Sequence, residues 1–302
     1  MTPNSPGAWA MPRFSQLSAR LEDSPRIAWC RMQPRPRPCF TPTLLRELRD
    51  FQRAIERLDA AAQIDPDLRA VEYVVFASEV PEVFNLGGDL SLFLQLIQAG
   101  RRQDLLEYAY ACIEPGHHFS IDLGLPLTTI ALVQGDALGG GFEAALSCSV
   151  MIAERGSQLG LPEILFNMFP GMGAYTFLAR RIGPQETERM IKSGRIYAAE
   201  ELHEMGVVDI LCDNGKGEDA VYEYIRNTQR THNAYRAIHR ARRIVTRLQY
   251  DEMQSICEIW VDAALRLTER DLKIMQRLVR AQDRKYQREE IRDAPAASYN
   301  AS

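Results

Sequence analysis

The chain has 302 residues, of which 46% are hydrophobic and 25% are charged. These values are typical of a globular protein with a large buried core and exclude a disordered chain, a collagen and a simple coiled coil. The net charge of −4, from 36 basic and 40 acidic residues, disfavours a nucleic-acid-binding protein. No apolar run approaches the roughly 18 residues of a membrane-spanning helix. The Pro-rich start also lacks the features of a secretory signal.

The cysteines and histidines give no sign of a metal site. The six cysteines form no C-x-x-C pair and match no zinc-binding spacing. We therefore expect reduced, mostly buried thiols in a cytoplasmic protein without a bound metal. His117 and His118 are adjacent and point in different directions on a regular element, so we interpret them as a helix end near the surface.

The predicted elements alternate between strands and helices in the first part of the chain. After a flexible leader over 1–13, the patterns predict strands at 14–21 and 26–31, a Pro-rich loop at 33–38, a helix at 43–63, a strand at 71–77, helices within 89–122, a strand at 128–134, a helix at 139–146 and a strand at 149–153. Seven helices are then expected, at about 174–182, 184–193, 198–205, 217–229, 232–247, 250–267 and 269–289, with one strand at 206–211. This order predicts an α/β core over 14–210, a helical part over 211–290 and a loose tail over 291–302.

Three consecutive glycines, Gly139 to Gly141, open a helix after an apolar strand and would expose backbone amides to an anionic group. The spacing Gly139-x-Gly141-x-x-Ala144 fits a loose dinucleotide fingerprint. However, the connection from Gly135 to Gly139 is too long for the required tight turn, and no acid ends a second strand in a βαβ unit. A nucleotide site is therefore disfavoured.

The other candidate for these amides is the carbonyl oxygen of a thioester. An oxyanion hole needs two N–H donors that converge on one oxygen. A second glycine turn, Gly87-Gly88, also lies between a strand and a helix. Two such turns on adjacent parallel strands would supply one donor each, although ordinary glycine turns in an α/β sheet explain the local pattern equally well.

Two acids favour an active site. Glu143 and Glu163 are isolated carboxyl groups in strongly apolar surroundings. Burial raises the pKa of a carboxyl group, which suits proton transfer at neutral pH. Each acid alone has an ordinary explanation, since Glu143 complements a helix N-terminus and Glu163 begins a helix after a proline. Both acids together with two glycine turns are harder to explain in this way.

Four motifs resemble the crotonase (enoyl-CoA hydratase/isomerase) superfamily, over about residues 14–285. They are Phe84-x-x-Gly87-Gly88-Asp89-Leu90, Gly135-x-Ala137-Leu138-Gly139-Gly140-Gly141-x-Glu143, Leu161-Pro162-Glu163 and Phe169-Pro170-Gly171-Met172-Gly173. Within the superfamily, the stretches at 84–90, 131–135, 141–148, 169–175, 258–262 and 277–282 look most like the diffusible signal factor synthases of the RpfF type.

The resemblance implies an α/β crotonase-like fold, a spiral of ββα units forming two roughly perpendicular sheets. It implies that residues 211–290 serve trimerisation and act as a lid, in homotrimers or dimers of trimers. It places the oxyanion donors on the amides of Gly88 and Gly140 and the two catalytic carboxyl groups on Glu143 and Glu163. The implied substrate-binding residues are Leu86, Gly87, Leu138, Gly139, Met172 and Trp260. For Trp260 and Leu278, an apolar helix stripe is also typical of a core or a subunit interface.

The resemblance also implies a reaction. A 3-hydroxyacyl thioester on acyl carrier protein would be dehydrated to the cis-2-enoyl thioester, then hydrolysed to a medium-chain acid that serves as a quorum-sensing signal. No cofactor is implied beyond the phosphopantetheine or CoA arm of the substrate. We assign removal of the α-proton to Glu163 and protonation of the leaving hydroxyl to Glu143, roles that can be swapped or shared between coupled acids. Without a Gly-x-Ser-x-Gly elbow or a Cys–His pairing, water is the expected nucleophile for hydrolysis.

Arg35 and Arg37 lie where the superfamily contacts the nucleotide end of coenzyme A. They would serve a CoA phosphate or an acidic carrier surface, and a solvated Pro-rich loop is the remaining explanation. Two other functions stay open: an ordinary enoyl-CoA hydratase, and a non-catalytic module that docks onto a signal sensor protein. We expect neither a nucleic-acid nor a membrane partner.

Overall fold

A computed structural model describes residues 11–65 and 67–280, apart from the side chain of His232. The first ten residues of the predicted leader, the end of the last predicted helix and the predicted tail lie outside the described residues.

The described residues form ten strands and eleven α-helices. The strands are β1 (Leu17–Asp23), β2 (Arg26–Met32), β3 (Tyr73–Ser78), β4 (Val83–Asn85), β5 (Thr128–Val133), β6 (Asp136–Leu138), β7 (Val150–Glu154), β8 (Gln158–Gly160), β9 (Ile196–Ala198) and β10 (Ile210–Cys212). The helices are α1 (Pro42–Ala62), α2 (Leu90–Gln98), α3 (Arg102–Ser120), α4 (Gly140–Ser147), α5 (Ala174–Ile182), α6 (Pro184–Ser193), α7 (Ala199–Glu204), α8 (Gly217–Gln229), α9 (His232–Val245), α10 (Tyr250–Ala264) and α11 (269–280). Short 3₁₀ turns span Asp122–Gly124 and Pro162–Phe166.

The strands build two sheets. The larger has the order β1-β2-β3-β5-β7-β10 and is parallel except for the β1–β2 hairpin. The smaller has the order β4-β6-β8-β9 and is parallel except for β8–β9. The pairs β3–β4, β5–β6 and β7–β8 each place one strand in each sheet before the chain enters a helical segment. This is the spiral of ββα units expected from the sequence.

Two hydrophobic cores cover the two faces of the larger sheet. Along β2, Ala28 and Cys30 belong to the main core, while Ile27 and Trp29 belong to a second core completed by α8. Because both faces are covered, β5 and β7 are buried along their whole length and show no alternation of polar residues. In the sequence, such strands appear as continuous apolar runs, and for this reason both were predicted.

Most predicted helices match the structure, and α5 and α6 have the predicted bounds. The strand predicted at 206–211 is wrong in its first four residues, because only Ile210–Cys212 is a strand. Val207 and Val208 are fully buried, but their amides bond to the Leu202 carbonyl oxygen and close the end of α7. A buried turn therefore has the same apolar composition as a strand.

Other sequence-based expectations also have a structural outcome. All six cysteines are free thiols and four of them are buried, as predicted. His117 and His118 lie in the last turn of α3, which confirms the predicted helix end. Within residues 11–65 and 67–280, no helix has the length and apolar character needed to cross a bilayer. The same residues contain no group of three or more side chains arranged to hold a metal ion.

Asp122 joins the larger sheet to the C-terminal helices. Its side chain is fully buried, and Oδ1 accepts hydrogen bonds from the Thr129 amide, the Thr129 hydroxyl and the Ser149 hydroxyl. Nη1 of Arg243, on α9, lies 2.6 Å from Oδ2. One carboxylate thus connects β5, the start of β7 and α9.

We expect Asp122→Ala to lower the free energy of unfolding by about 3–5 kcal/mol, because it removes the one buried carboxylate that Arg243, Thr129 and Ser149 share. Urea denaturation measures this loss. Arg189→Gln removes an exposed ion pair with Glu186 and should change stability by less than about 1 kcal/mol. Similar small losses in both variants would contradict the role given to Asp122.

Candidate active site

Two glycine turns meet at the ends of β4 and β6. These strands are adjacent and parallel, so the turns that follow them lie side by side. A Cβ added to Gly87 would lie 2.9 Å from the Leu138 carbonyl oxygen, and one added to Gly140 would lie 3.4 Å from the Gly88 nitrogen. The predicted contact between the turns is therefore present. The strands that carry them are the short strands of the smaller sheet, which the sequence did not predict.

The amides of Gly88 and Gly140 are available to a ligand. No carbonyl or side chain within the described residues accepts a hydrogen bond from either one. Both glycines line the same pocket. Gly140 is also the first residue of α4, where the helix dipole adds positive potential. This arrangement suits a developing negative charge on a carbonyl oxygen.

The neighbouring glycines serve packing and turn geometry. Gly139 has a φ of +52°, and its amide donates to the Gly160 carbonyl oxygen at 2.8 Å. A Cβ on Gly141 would overlap the Asn85 carbonyl oxygen, so α4 approaches β4 closely only because this residue is glycine. These contacts explain the dinucleotide-like spacing without a phosphate.

Glu143 lies on α4 and is 2% exposed. Its Oε1 accepts hydrogen bonds from the amides of Met172, at 2.8 Å, and Ala174, at 2.9 Å, where α5 begins. Burial raises the pKa of the Glu143 carboxyl, while these two amides act in the opposite direction by stabilising the anion.

Glu163 lies in the 3₁₀ turn that follows β8. Its Oε2 is buried and has no hydrogen-bond partner within the described residues. Burial raises the pKa of the Glu163 carboxyl, and the negative charge of Glu143 raises it further. Because Glu143 has two amide donors on its carboxylate, we expect Glu143 to ionise first and Glu163 to retain its proton.

Both carboxyl groups and both glycine turns face one apolar pocket with a volume of about 230 Å³. Every substrate-binding residue expected from the sequence lines it: Leu86, Gly87, Leu138, Gly139, Met172 and Trp260. Sequence reasoning did not assign Phe93, Met168 or Met275, which also line the pocket. In the sequence, these residues stand only in an apolar helix stripe or at an apolar loop position. Such a pattern does not distinguish the wall of a pocket from the interior of a hydrophobic core.

Helices near the C-terminus close this pocket. Trp260 of α10 is 6% exposed, and its ring lies 4.9 Å from that of Phe93. A Cβ on Gly171 would overlap the indole, so glycine is required at that contact. Leu278 of α11 also lines the pocket. Both residues therefore reach the pocket of their own chain.

Arg35 and Arg37 do not line the pocket. Arg35 is exposed, whereas Arg37 is half-buried and lies 3.2 Å from a carboxylate oxygen of Asp89. Asp89 follows Gly88 directly and caps α2 by accepting hydrogen bonds from two amides of its first turn. Arg37 therefore supports the glycine turn, and Arg35 is the more accessible of the two cations.

Solved structures share this fold. The human mitochondrial delta3-delta2-enoyl-CoA isomerase superposes with a TM-score of 0.72 and 17% identity, covering 90% of this chain and 99% of that chain. DspI from Pseudomonas aeruginosa gives a TM-score of 0.63 and 24% identity, covering 82% of this chain and 93% of that chain.

Sequence comparison gives the family. Human mitochondrial enoyl-CoA hydratase domain-containing protein 2 is 31% identical over 177 residues, which is 57% of this chain and 56% of that protein. The chain spans about half the length of such curated relatives. The family model described as enoyl-CoA hydratase/isomerase matches residues 34–263, most of the chain. The chain therefore belongs to the enoyl-CoA hydratase/isomerase family.

Proposed function

We propose that this protein dehydrates a medium-chain 3-hydroxyacyl thioester to the 2-enoyl thioester and then hydrolyses the thioester. One observation carries the proposal: two buried carboxyl groups face the same apolar pocket as two amides that have no acceptor in the described part of the chain. Carboxyl groups with raised pKa move protons near neutral pH, and paired amides stabilise an enolate oxygen.

The dehydration uses each of these groups. The thioester oxygen accepts hydrogen bonds from the Gly88 and Gly140 amides, which acidifies the α-carbon. One glutamate takes the α-proton, the other protonates the 3-hydroxyl, and the C–O bond breaks to release water and form the double bond. One proton leaves carbon and one joins the leaving group, so the pair as a whole neither gains nor loses a proton.

The expected protonation state of the two glutamates favours one direction of the reaction. With the assigned roles, an ionised Glu143 and a protonated Glu163 form the state that adds water to a double bond. Dehydration then ends in this state, and the next cycle begins once the proton has passed back to Glu143. Exchanging the two roles would remove the need for that transfer.

Hydrolysis would use the same amides to hold the tetrahedral intermediate while an ionised glutamate activates water. Two cysteine thiols lie close enough to Glu143 to interact with its charge, and both are poor nucleophiles. Burial raises the pKa of Cys257 to about 12 and that of Cys112 well above its usual value. This supports water rather than a cysteine as the attacking group.

The finer proposal is that the substrate is carried by acyl carrier protein and that the product is a cis-2-unsaturated signal of the diffusible signal factor class. It is supported by the sequence stretches that resemble signal synthases and by an apolar pocket closed by α10 and α11. A homotrimer or dimer of trimers, and a sensor protein as a further partner, belong to the same proposal.

An ordinary enoyl-CoA hydratase is the second candidate, favoured by the family match and by the charge order of the glutamates. Mass spectrometry of products from a 3-hydroxyacyl carrier protein separates the two. Free cis-2-enoic acid supports the proposed synthase, whereas a trans thioester without free acid supports the hydratase.

We expect Glu143→Gln and Glu163→Gln each to reduce dehydration about 10²–10⁴-fold, because an amide cannot exchange the proton. Initial rates with a 3-hydroxyacyl thioester measure the loss. The matched control is Glu154→Gln, at a buried glutamate bonded to Gln134 and Gly217 instead. A rate within a few-fold of wild type in either active-site variant would rule out the two-glutamate mechanism.

The same variants distinguish the roles. In deuterated water, a saturated acyl pantetheine thioester exchanges its α-hydrogens without losing a leaving group. Glu163→Gln should abolish this exchange and Glu143→Gln should largely retain it. The opposite result would assign removal of the α-proton to Glu143.

We expect kcat/KM for dehydration to follow a bell-shaped pH profile. Activity should fall at low pH as the pair takes up a second proton and at high pH as it loses its last one, because either role assignment needs one acid and one base. Because burial raises the pKa of both groups, both limbs of the pH profile should lie at higher pH than the range in which ordinary carboxyl groups titrate. A flat profile from pH 4 to 9 would contradict this assignment.

Arg35→Glu tests the carrier. If Arg35 faces an acidic carrier protein, charge reversal should raise KM for the carrier-linked substrate several-fold, with a smaller effect at high salt. A pantetheine thioester should be unaffected, as should carrier-linked substrate in the control Arg53→Glu, at an exposed arginine on α1. Arg37 is a poorer test because its reversal would place two carboxylates together at Asp89. Equal losses on both substrates would favour a local structural role.

Trp260→Ala should enlarge the pocket and shift the product profile toward longer acids, since each buried CH₂ contributes about 0.8 kcal/mol. Chromatography of the released acids measures the shift, and size-exclusion chromatography reports assembly. An unchanged chain-length profile with altered assembly would place Trp260 in a subunit interface.

A further inference from the structure

The turn that carries Gly88 is bonded to the chain just before α1. Phe40 and Gly88 form an isolated parallel bridge, in which the Phe40 amide donates to the Gly87 carbonyl oxygen at 2.8 Å. That carbonyl belongs to the same peptide plane as the Gly88 amide. Since the two groups of a trans peptide point in opposite directions, fixing the Gly87 oxygen also fixes the direction of the Gly88 N–H.

A side chain joins the two segments at the second hydrogen-bond position of this bridge. In a regular parallel pair, the Asp89 amide would donate directly to the Phe40 carbonyl oxygen. Here the Asp89 amide donates to the Tyr108 hydroxyl at 3.0 Å, and that hydroxyl donates to the Phe40 oxygen. One hydroxyl thus bonds to both backbone segments.

Tyr108 is built into the wall behind the site. It lies on α3, is 6% exposed, and packs edge-on against Phe93 with ring centres 5.1 Å apart. A Cβ on Gly88 would lie 2.7 Å from the Phe93 ring, so the same aromatic pair also limits movement of the turn. Tyr108 does not line the pocket.

We infer that Tyr108 is a positioning residue of the oxyanion hole: its hydroxyl sets the spacing between Phe40 and Asp89 and so aims the Gly88 amide at the thioester oxygen. This rests on the proposed function of that amide. The hydroxyl both donates and accepts at this point, so phenylalanine keeps the ring contacts and loses both hydrogen bonds.

Tyr108→Phe should reduce kcat for dehydration at least 10-fold and change KM less than about 3-fold, because alignment of a transition-state donor is lost while the pocket walls remain. The matched control is Tyr73→Phe, at a buried tyrosine of the second core whose hydroxyl bonds to Thr228. That variant should lose thermal stability and retain kcat.

Infrared spectroscopy of a bound saturated acyl pantetheine thioester gives a second measurement that needs no turnover. Hydrogen bonds from the Gly88 and Gly140 amides lower the carbonyl stretching frequency. Tyr108→Phe should reduce this lowering, and Tyr73→Phe should leave it unchanged. Wild-type kcat and carbonyl frequency in Tyr108→Phe would overturn the inference.

Failure of the proposed function gives a different result, because wild-type protein would then bind the thioester without turnover. The infrared comparison still tests Tyr108 in that case. If Tyr108→Phe does not fold, ring-fluorinated tyrosines at position 108 keep the hydroxyl and weaken it progressively as an acceptor. The lowering of the carbonyl frequency should then decrease along the series, and a constant value would overturn the inference.

Discussion

The parallel contact between β4 and β6 is the constraint on which the site depends. These strands are three residues long, yet their pairing brings the two glycine turns within contact distance. The larger sheet fixes this pairing, because β3 and β5 are themselves parallel neighbours and lead into β4 and β6. The proposed oxyanion donors therefore lie at the ends of strands held by a rigid core.

The two carboxyl groups enter this frame from different elements and acquire different environments. Glu143 is placed by α4 against the amide of Met172 and the first amide of α5, so a helix N-terminus supports its anion. Glu163 comes from a 3₁₀ turn, and one of its oxygens is buried with no hydrogen-bond partner among the residues that the structure describes. Identical side chains thus come to differ in acidity, as general acid–base chemistry requires.

The sequence predicted the elements with clear periodicity or continuous apolar runs, including α1, α5, α6, β5 and β7. It also predicted both glutamates and both glycine turns, because isolated acids and grouped glycines stand out in apolar surroundings. The residue patterns did not predict the strands of the smaller sheet, since three residues show no alternation; only the family resemblance implied a second sheet. The hydroxyl of Tyr108 was equally undetectable, because its role depends on a bridge between Phe40 and Gly88, which are far apart in the chain.

Because α10 and α11 close the pocket, the pKa values of Glu143 and Glu163 depend on the completion of folding. During synthesis, the strands, glycine turns and both glutamates emerge from the ribosome before these helices. Until Trp260 and Leu278 cover the pocket, water reaches the carboxyl groups and removes much of the desolvation that raises their pKa. The proposed proton-transfer pair would thus gain its raised pKa only once α10 and α11 have docked.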